Sequence, residues 1–291
     1  MTLLAPAGSV EAARAALQNG ADALYMGVRG WSRWGRATEA GEEDIKLTLR
    51  NTRKAGKKLF LACNIVPPRR DLPRLLEQVD RFVTPGINGV ILNDPGIIYL
   101  VRERWPALSI TASVGCGFFN AQDLAFYREM GATAVVLPCG IGWEEVRTVA
   151  AMAAGLELEV FIHGFREPFY LGKCWLGSYA RQKVVDKKDG LSLYGSARRS
   201  GNCSRACRQP WKLFRGQQEL APCELPWKLV SITSDLGRYL DAGVTAFKIQ
   251  GRNLAPEKLG RLVRFYRKAL DHQLEGGEQW SSIPTCLISS P

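Results

Sequence analysis

Histidine is nearly missing from this 291-residue chain, which carries only His163 and His272. No His-Glu-x-x-His and no Gly-x-Ser-x-Gly occurs, so neither a zinc-protease nor a serine-hydrolase constellation has support in the sequence. No apolar run approaches the roughly 18 residues that a membrane span requires. The start, Met1-Thr2-Leu3-Leu4-Ala5, puts no basic segment before an apolar one, so no secretory leader is expected. Poverty of apolar residues is also absent: at 46% hydrophobic, with Gly and Pro scattered, the chain is neither disordered nor a coiled coil.

What is present is a soluble-type balance with a basic excess, 39 Lys+Arg against 28 Asp+Glu, a formal net charge of +11. Short aliphatic runs alternate with stretches of helical period, the pattern of βα units around a parallel sheet. Eight runs read as strands: 3–6, 23–27, 58–64, 89–93, 109–114, 134–138, 156–163 and 246–251. Helical stretches lie between them at 10–19, 43–55, 72–82, 95–105, 121–130, 143–153, 234–242 and 256–272. Glycine marks three expected helix stops, at Gly20, Gly131 and Gly243. The count favours an α/β fold, a (β/α)8 TIM-like barrel, over a doubly wound open sheet, and puts the active site on the loops after the strand C-termini.

One long segment, about 164–228, follows the seventh strand and breaks this rhythm. We read residues 1–291 as a single barrel domain carrying that insertion, with 275–291 as a flexible tail. The insertion holds much of the charge, since residues 173–215 contain 11 Lys+Arg and two acids. Such a run is often only a solvated surface, but here it coincides with a cysteine cluster and with Tyr170, Trp175, Tyr179, Tyr194 and Trp211, a mixture that suits RNA or a small aromatic substrate.

Of eight cysteines, Cys63, Cys116, Cys139 and Cys286 stand alone, whereas Cys174, Cys203, Cys207 and Cys223 fall within 50 residues. Without a leader, a reducing, cytoplasmic setting is expected, where grouped thiols hold metal more often than they form disulfides. Four thiolates suit an iron-sulfur cluster or a tetrahedral zinc; uncommitted thiols and two disulfides are the other readings. Cys207-Arg-Gln-Pro-Trp-Lys-Leu and Cys223-Glu-Leu-Pro-Trp-Lys-Leu are near copies, which suggests two similar turns on one centre.

Several segments together resemble the collagenase-like peptidase family U32. They are Leu3-Leu4-Ala5-Pro6-Ala7-Gly8, Asn19 to Gly27, Glu159 to Gly164, Gly172-Lys173-Cys174, Gly201-Asn202-Cys203, Cys207-Arg208 and Ala242 through Arg252. Despite the family name, the resemblance implies an oxygen-independent hydroxylase that carries a 4Fe-4S cluster. Relatives of this kind modify tRNA or ribosomal RNA, or hydroxylate the ring of ubiquinone precursors beside a homologous partner subunit, and several take prephenate as hydroxyl donor. A peptidase, and a non-catalytic RNA-binding or partner subunit, are the alternative readings.

Carried onto this chain, the resemblance implies Cys174, Cys203, Cys207 and Cys223 as metal ligands. Cys207 stands in for a family cysteine just after the His-Gly pair, where this chain has Glu167. Two other departures are Cys139-Gly140 in place of Arg-Glu and Gln250 in place of Glu. Arg33, Arg36, Asn64, Lys248 and Arg252 fall at or just after strand ends, where they suit a carboxylate donor as well as surface salt bridges. His163, Lys248 and Arg252 are the catalytic candidates, with His163 as general acid/base or as a core histidine; Arg33, Arg36, Asn64 and Tyr170 are the substrate-binding candidates.

Overall fold

The computed structural model describes residues 1–33, 38–118, 120–153, 155–166, 183–186, 192–195, 207, 210–223, 228–277, 280 and 283–287, with backbone alone at 183–186, 192–195, 223 and 285. The N-terminal half is a βα succession. Strands β1 (Thr2–Ala7), β2 (Ala23–Val28), the two-residue β3 (Glu39–Ala40), β4 (Lys58–Cys63), β5 (Gly89–Leu92), β6 (Ser109–Ala112), β7 (Ala134–Val136) and β8 (Glu157–Arg166) follow in order. Helices α1 (Val10–Gln18), α2 (Glu42–Lys54), α3 (Leu72–Val83), α4 (Pro95–Arg104), α5 (Ala121–Glu129) and α6 (Trp143–Ala150) are interleaved. Then come the short strands β9 (Lys183–Asp186) and β10 (Ser192–Gly195), β11 (Trp211–Arg215), β12 (Gln218–Cys223) and β13 (Lys228–Ser231). Helix α7 (Leu236–Asp241), strand β14 (Ala246–Ile249) and helix α8 (Pro256–Leu274) complete the main body.

The sheet closes. Its order is β1-β14-β8-β7-β6-β5-β4-β2, and β1 also pairs with β2, so eight parallel strands form a ring. All eight strands expected from the sequence are its staves. They read as near-continuous apolar runs because both faces are covered, by helices outside and by side chains inside. The helices start where the sequence supplies caps: Ser9 accepts from the Ala12 N–H ahead of α1, and Asp94 accepts from the Ile97 N–H with Pro95 opening α4. Helix α7 begins two residues later than its periodicity suggests because 233–235 winds as a 3₁₀ turn.

Register determines what faces inward. Leu4 pairs with both Ala23 and Lys248, Tyr25 with Phe60, and Ala62 with Ile91. Paired residues on parallel strands share a face, so Leu4, Ala23, Tyr25, Ala62 and Ile91 pack together as a small lumen cluster, separate from the large core between sheet and helices. Phe247, fully buried in that outer core, is neighbour along β14 to the lumen-facing Lys248.

Strand β8 is the longest, and its extension beyond the ring pairs antiparallel with β13, Lys228 opposite Arg166 and Ser231 opposite His163. The chain therefore leaves and re-enters the barrel at one point, the C-terminal end of β8. Between these points the described residues form two antiparallel pairs, β9–β10 and β11–β12. Phe247→Ala, which hollows the outer core, is expected to lower unfolding free energy by about 3–5 kcal/mol in denaturant titrations. Leu213→Ala on the exposed β11 should stay within about 0.5 kcal/mol of wild type.

Candidate functional site at the barrel mouth

The inward faces of β8 and β14 place opposite charges inside the barrel. Lys248 Nζ donates to Glu159 Oε1 at 2.5 Å, and both side chains are almost entirely buried. The ammonium also lies 4.5 Å from the centroid of the Tyr25 ring. Tyr25 is fixed in turn, its hydroxyl donating to the Ile249 carbonyl at 2.9 Å. Burial lowers the Lys248 pKa, Glu159 opposes that shift, and Arg252 nearby adds to it.

Arg252 lies just past the end of β14, also buried, with Nη1 donating to Ser32 Oγ at 2.7 Å and its guanidinium 5.8 Å from the Tyr25 centroid. Burial brings its pKa down to about 10, with Arg33 reinforcing the shift and Tyr25 and Glu39 opposing it. Two glycines make room for this residue. A Cβ on Gly27 would stand 2.6 Å from Arg252 Nη1, and one on Gly8 would stand 1.9 Å from the Arg252 carbonyl oxygen. Arg33 closes the group: its backbone N–H donates to Asn64 Oδ1 at 3.3 Å. The structure thus gathers Arg33, Asn64, Lys248 and Arg252 at one end of the lumen, with Tyr25, Ser32, Glu39 and Glu159 as their immediate setting. Chemically, this is a place to hold an anionic or electron-rich group by charge-assisted hydrogen bonds.

His163 lies apart from these groups. It is fully buried, its Nδ1 is 2.9 Å from the Tyr266 hydroxyl on α8, and that hydroxyl donates to Ser231 Oγ at 3.0 Å. With the tyrosine proton directed to Ser231, Nδ1 carries the imidazole hydrogen and Nε2 is left as a bare acceptor, with no hydrogen-bond partner among the described residues. Burial, reinforced by Lys258, lowers its pKa to about 4.

Arg36, Tyr170, Cys174 and Cys203 lie outside the described residues. Cys207 is half-buried, and the Cys223 backbone pairs with Trp211 at the open end of the β11–β12 hairpin, four residues after Cys207. The two near-copy segments lead into different strands, the first into β11 and the second into β13. Among the described residues, no three His, Cys, Asp or Glu side chains converge to hold a metal ion. Sequence reasoning missed Tyr25, Ser32, Glu39 and Glu159. A signal for Glu159 existed: a carboxylate at an inward position within the apolar middle of β8, beside a strand with a single inward lysine.

The profile of peptidase family U32 matches residues 8–286. The chain belongs to this family. Curated relatives include the tRNA hydroxylation protein P of Escherichia coli, 31% identical over 75% of this chain and 45% of the relative. A 23S rRNA 5-hydroxycytidine synthase of E. coli is 28% identical over 94% of this chain and 40% of its own length. A collagenase of Porphyromonas gingivalis is 25% identical, with 94% and 66% covered. The chain thus spans less than half of either E. coli relative. Among solved structures, a lysine-bound DHDPS from Cyanidioschyzon merolae superposes with a TM-score of 0.51 at 11% identity, covering 96% of this chain and 76% of that one, a likeness of fold alone. No helix among the described residues is long and apolar enough to cross a membrane.

Within this U32 barrel, Gln250 acts as a structural pin. Its Oε1 accepts from the Phe165 N–H at 2.7 Å and fixes the root of the insertion. Cys139 Sγ lies so close to Gly164 that a Cβ there would stand 3.0 Å from it.

Two outcomes are expected. Glu159→Leu strands a buried ammonium and should cost about 3–5 kcal/mol in denaturant unfolding, much of which Lys248→Met restores in the double variant. His163 binds its proton near pH 4 when folded and near 6.5 when unfolded. The unfolded state therefore binds more protons in that window, and the stabilisation, complete above pH 6.5, is lost as pH falls towards 4. Between pH 7 and pH 5, wild type should lose about 2 kcal/mol that His163→Phe does not, read from unfolding curves at each pH.

Proposed function

We propose that this chain hydroxylates an RNA base by an oxygen-independent route, with a 4Fe-4S cluster held by Cys174, Cys203, Cys207 and Cys223. The observation that carries the reading is the 31% identity with a tRNA hydroxylation protein over 75% of the chain. The rRNA-hydroxylating relative, matched over 94% of the chain, supports the same substrate class. The donor set fits the cluster in kind, since four thiols occur within 50 residues. The β11–β12 pairing sets the Cys223 backbone opposite Trp211, which follows Cys207 by four residues in the sequence. When bound, such a cluster supplies one-electron transfer to the reacting ring.

The mouth geometry supports a role for each of the other residues. Arg252 and Lys248 hold a carboxylate hydroxyl donor of the prephenate class, with Arg33 and Asn64 at the rim. Tyr25 keeps both cations in place from beneath. Lys248, bonded to Glu159, can keep or release a proton at Nζ.

The test has two parts. Protein purified without oxygen is expected to be brown, with iron and acid-labile sulfide in equal amounts, and Cys203→Ser and Cys207→Ser should lose both. Expressed in a bacterium stripped of its own RNA hydroxylases, the wild type should add one oxygen atom to a tRNA or rRNA nucleoside, read by mass spectrometry of digested RNA. A colourless, iron-free protein that cleaves gelatin and leaves RNA unchanged would refute the reading in favour of a peptidase.

A further inference from the structure

The β11–β12 hairpin follows Cys207 and precedes β13 in the chain. Every residue from Lys212 to Pro222 is exposed, and the two strands pair only with each other among the described sheets. At its tip Gly216 has φ of 61°, and a Cβ placed there meets nothing within 4 Å. An isolated two-stranded hairpin is marginal in water, and this one presents Leu213 at 54% exposure, Phe214 at 52% and Leu220 at 42%. Lys212 bridges to Glu219 on the facing strand at 2.8 Å, and Arg215 flanks the turn.

We infer that this hairpin is an arm on which a single-stranded segment of RNA lies, Phe214 stacking on a base while Arg215 and Lys212 meet phosphates. The inference rests on the RNA reading above and extends it to a surface outside the barrel mouth. Charge selects the occupant. Along the sequence, the 43 residues that end in the first strand carry 11 cations against two acids, a composition that favours a polyanionic partner. A cationic track with exposed aromatic faces is how single strands are held without reading sequence. Position agrees. From Cys223 the chain runs to β13, which pairs with the C-terminal end of β8, so the arm is rooted at the barrel mouth, where an unstacked base has to be delivered.

The experiment uses the full chain, purified without oxygen, with total tRNA and a mixed-sequence oligoribonucleotide as probes. Phe214→Ala should weaken binding of both by about fivefold or more, the loss of one stacked base, while Phe214→Trp retains it. Arg215→Gln should flatten the slope of log affinity against log salt by about one. Iron content should not change and the thermal midpoint should shift little, because Phe214 and Arg215 both lie on the exposed hairpin. If wild type binds and hydroxylates RNA but the variants do so equally well, the arm is not an RNA contact and the functional reading survives. If the variants alter the sedimenting mass of the protein and leave RNA affinity unchanged, the hairpin is a protein interface and the inference fails. A wild type that neither binds nor modifies RNA removes the functional reading and the arm with it.

Discussion

Hydrogen bonding of β1 to both β2 and β14 leaves the parallel sheet without an edge, and most of what matters in this molecule follows from that closure. A closed ring sends alternate residues into a lumen too narrow for water-filled space. Those positions must be small, apolar or internally satisfied. Leu4, Ala23, Ala62 and Ile91 meet the first two conditions. Lys248 and Glu159 meet the third, by bonding to each other. A lone charge there would suffer the full penalty of desolvation, so neither residue is tolerable without the other.

The mouth inherits its electrostatics from the same closure. Lys248, Arg252 and Glu159 lie around Tyr25, with Arg33 and Glu39 near Arg252, and the backbone at Gly8 and Gly27 is bare where the Arg252 strand end passes. The ring of Tyr25 lies beneath both Lys248 and Arg252, which gives these cations a weakly polar contact that demands no counter-charge. His163, one residue beyond a bulge in the β8–β14 pairing, is turned to the opposite side of the sheet and joins Tyr266 and Ser231 in tying α8 and β13 to the barrel wall. Its chemistry is therefore that of a brace, set against the lumen chemistry of the neighbouring strand.

The eight barrel strands and the eight α-helices among the described residues were legible because buried parallel strands and amphipathic helices each impose a period on the sequence, and because Ser9, Asp94 and Asn120 cap where helices begin. The short strands after β8 were not. In Trp211–Arg215 a bulge between Leu213 and Phe214 breaks the alternation, and exposure on both faces removes the apolar signal altogether. The mouth was half legible: Arg33, Asn64, Lys248 and Arg252 were expected from their place at strand ends. Tyr25 and Ser32 looked like an ordinary strand aromatic and an ordinary loop serine, since only contact with a residue more than 200 positions away gives them a role.

The sequence by itself determined the βα succession, the clustering of four cysteines in a basic insertion and the resemblance to the U32 family, because local period, composition and short motifs are properties of neighbouring residues. Tertiary structure decided the rest. Whether an inward lysine is paired, whether a histidine faces lumen or helix, and which end of the barrel the insertion hangs from all depend on the register of strands distant in sequence. A shift of one residue in that register would send every one of those side chains to the opposite face.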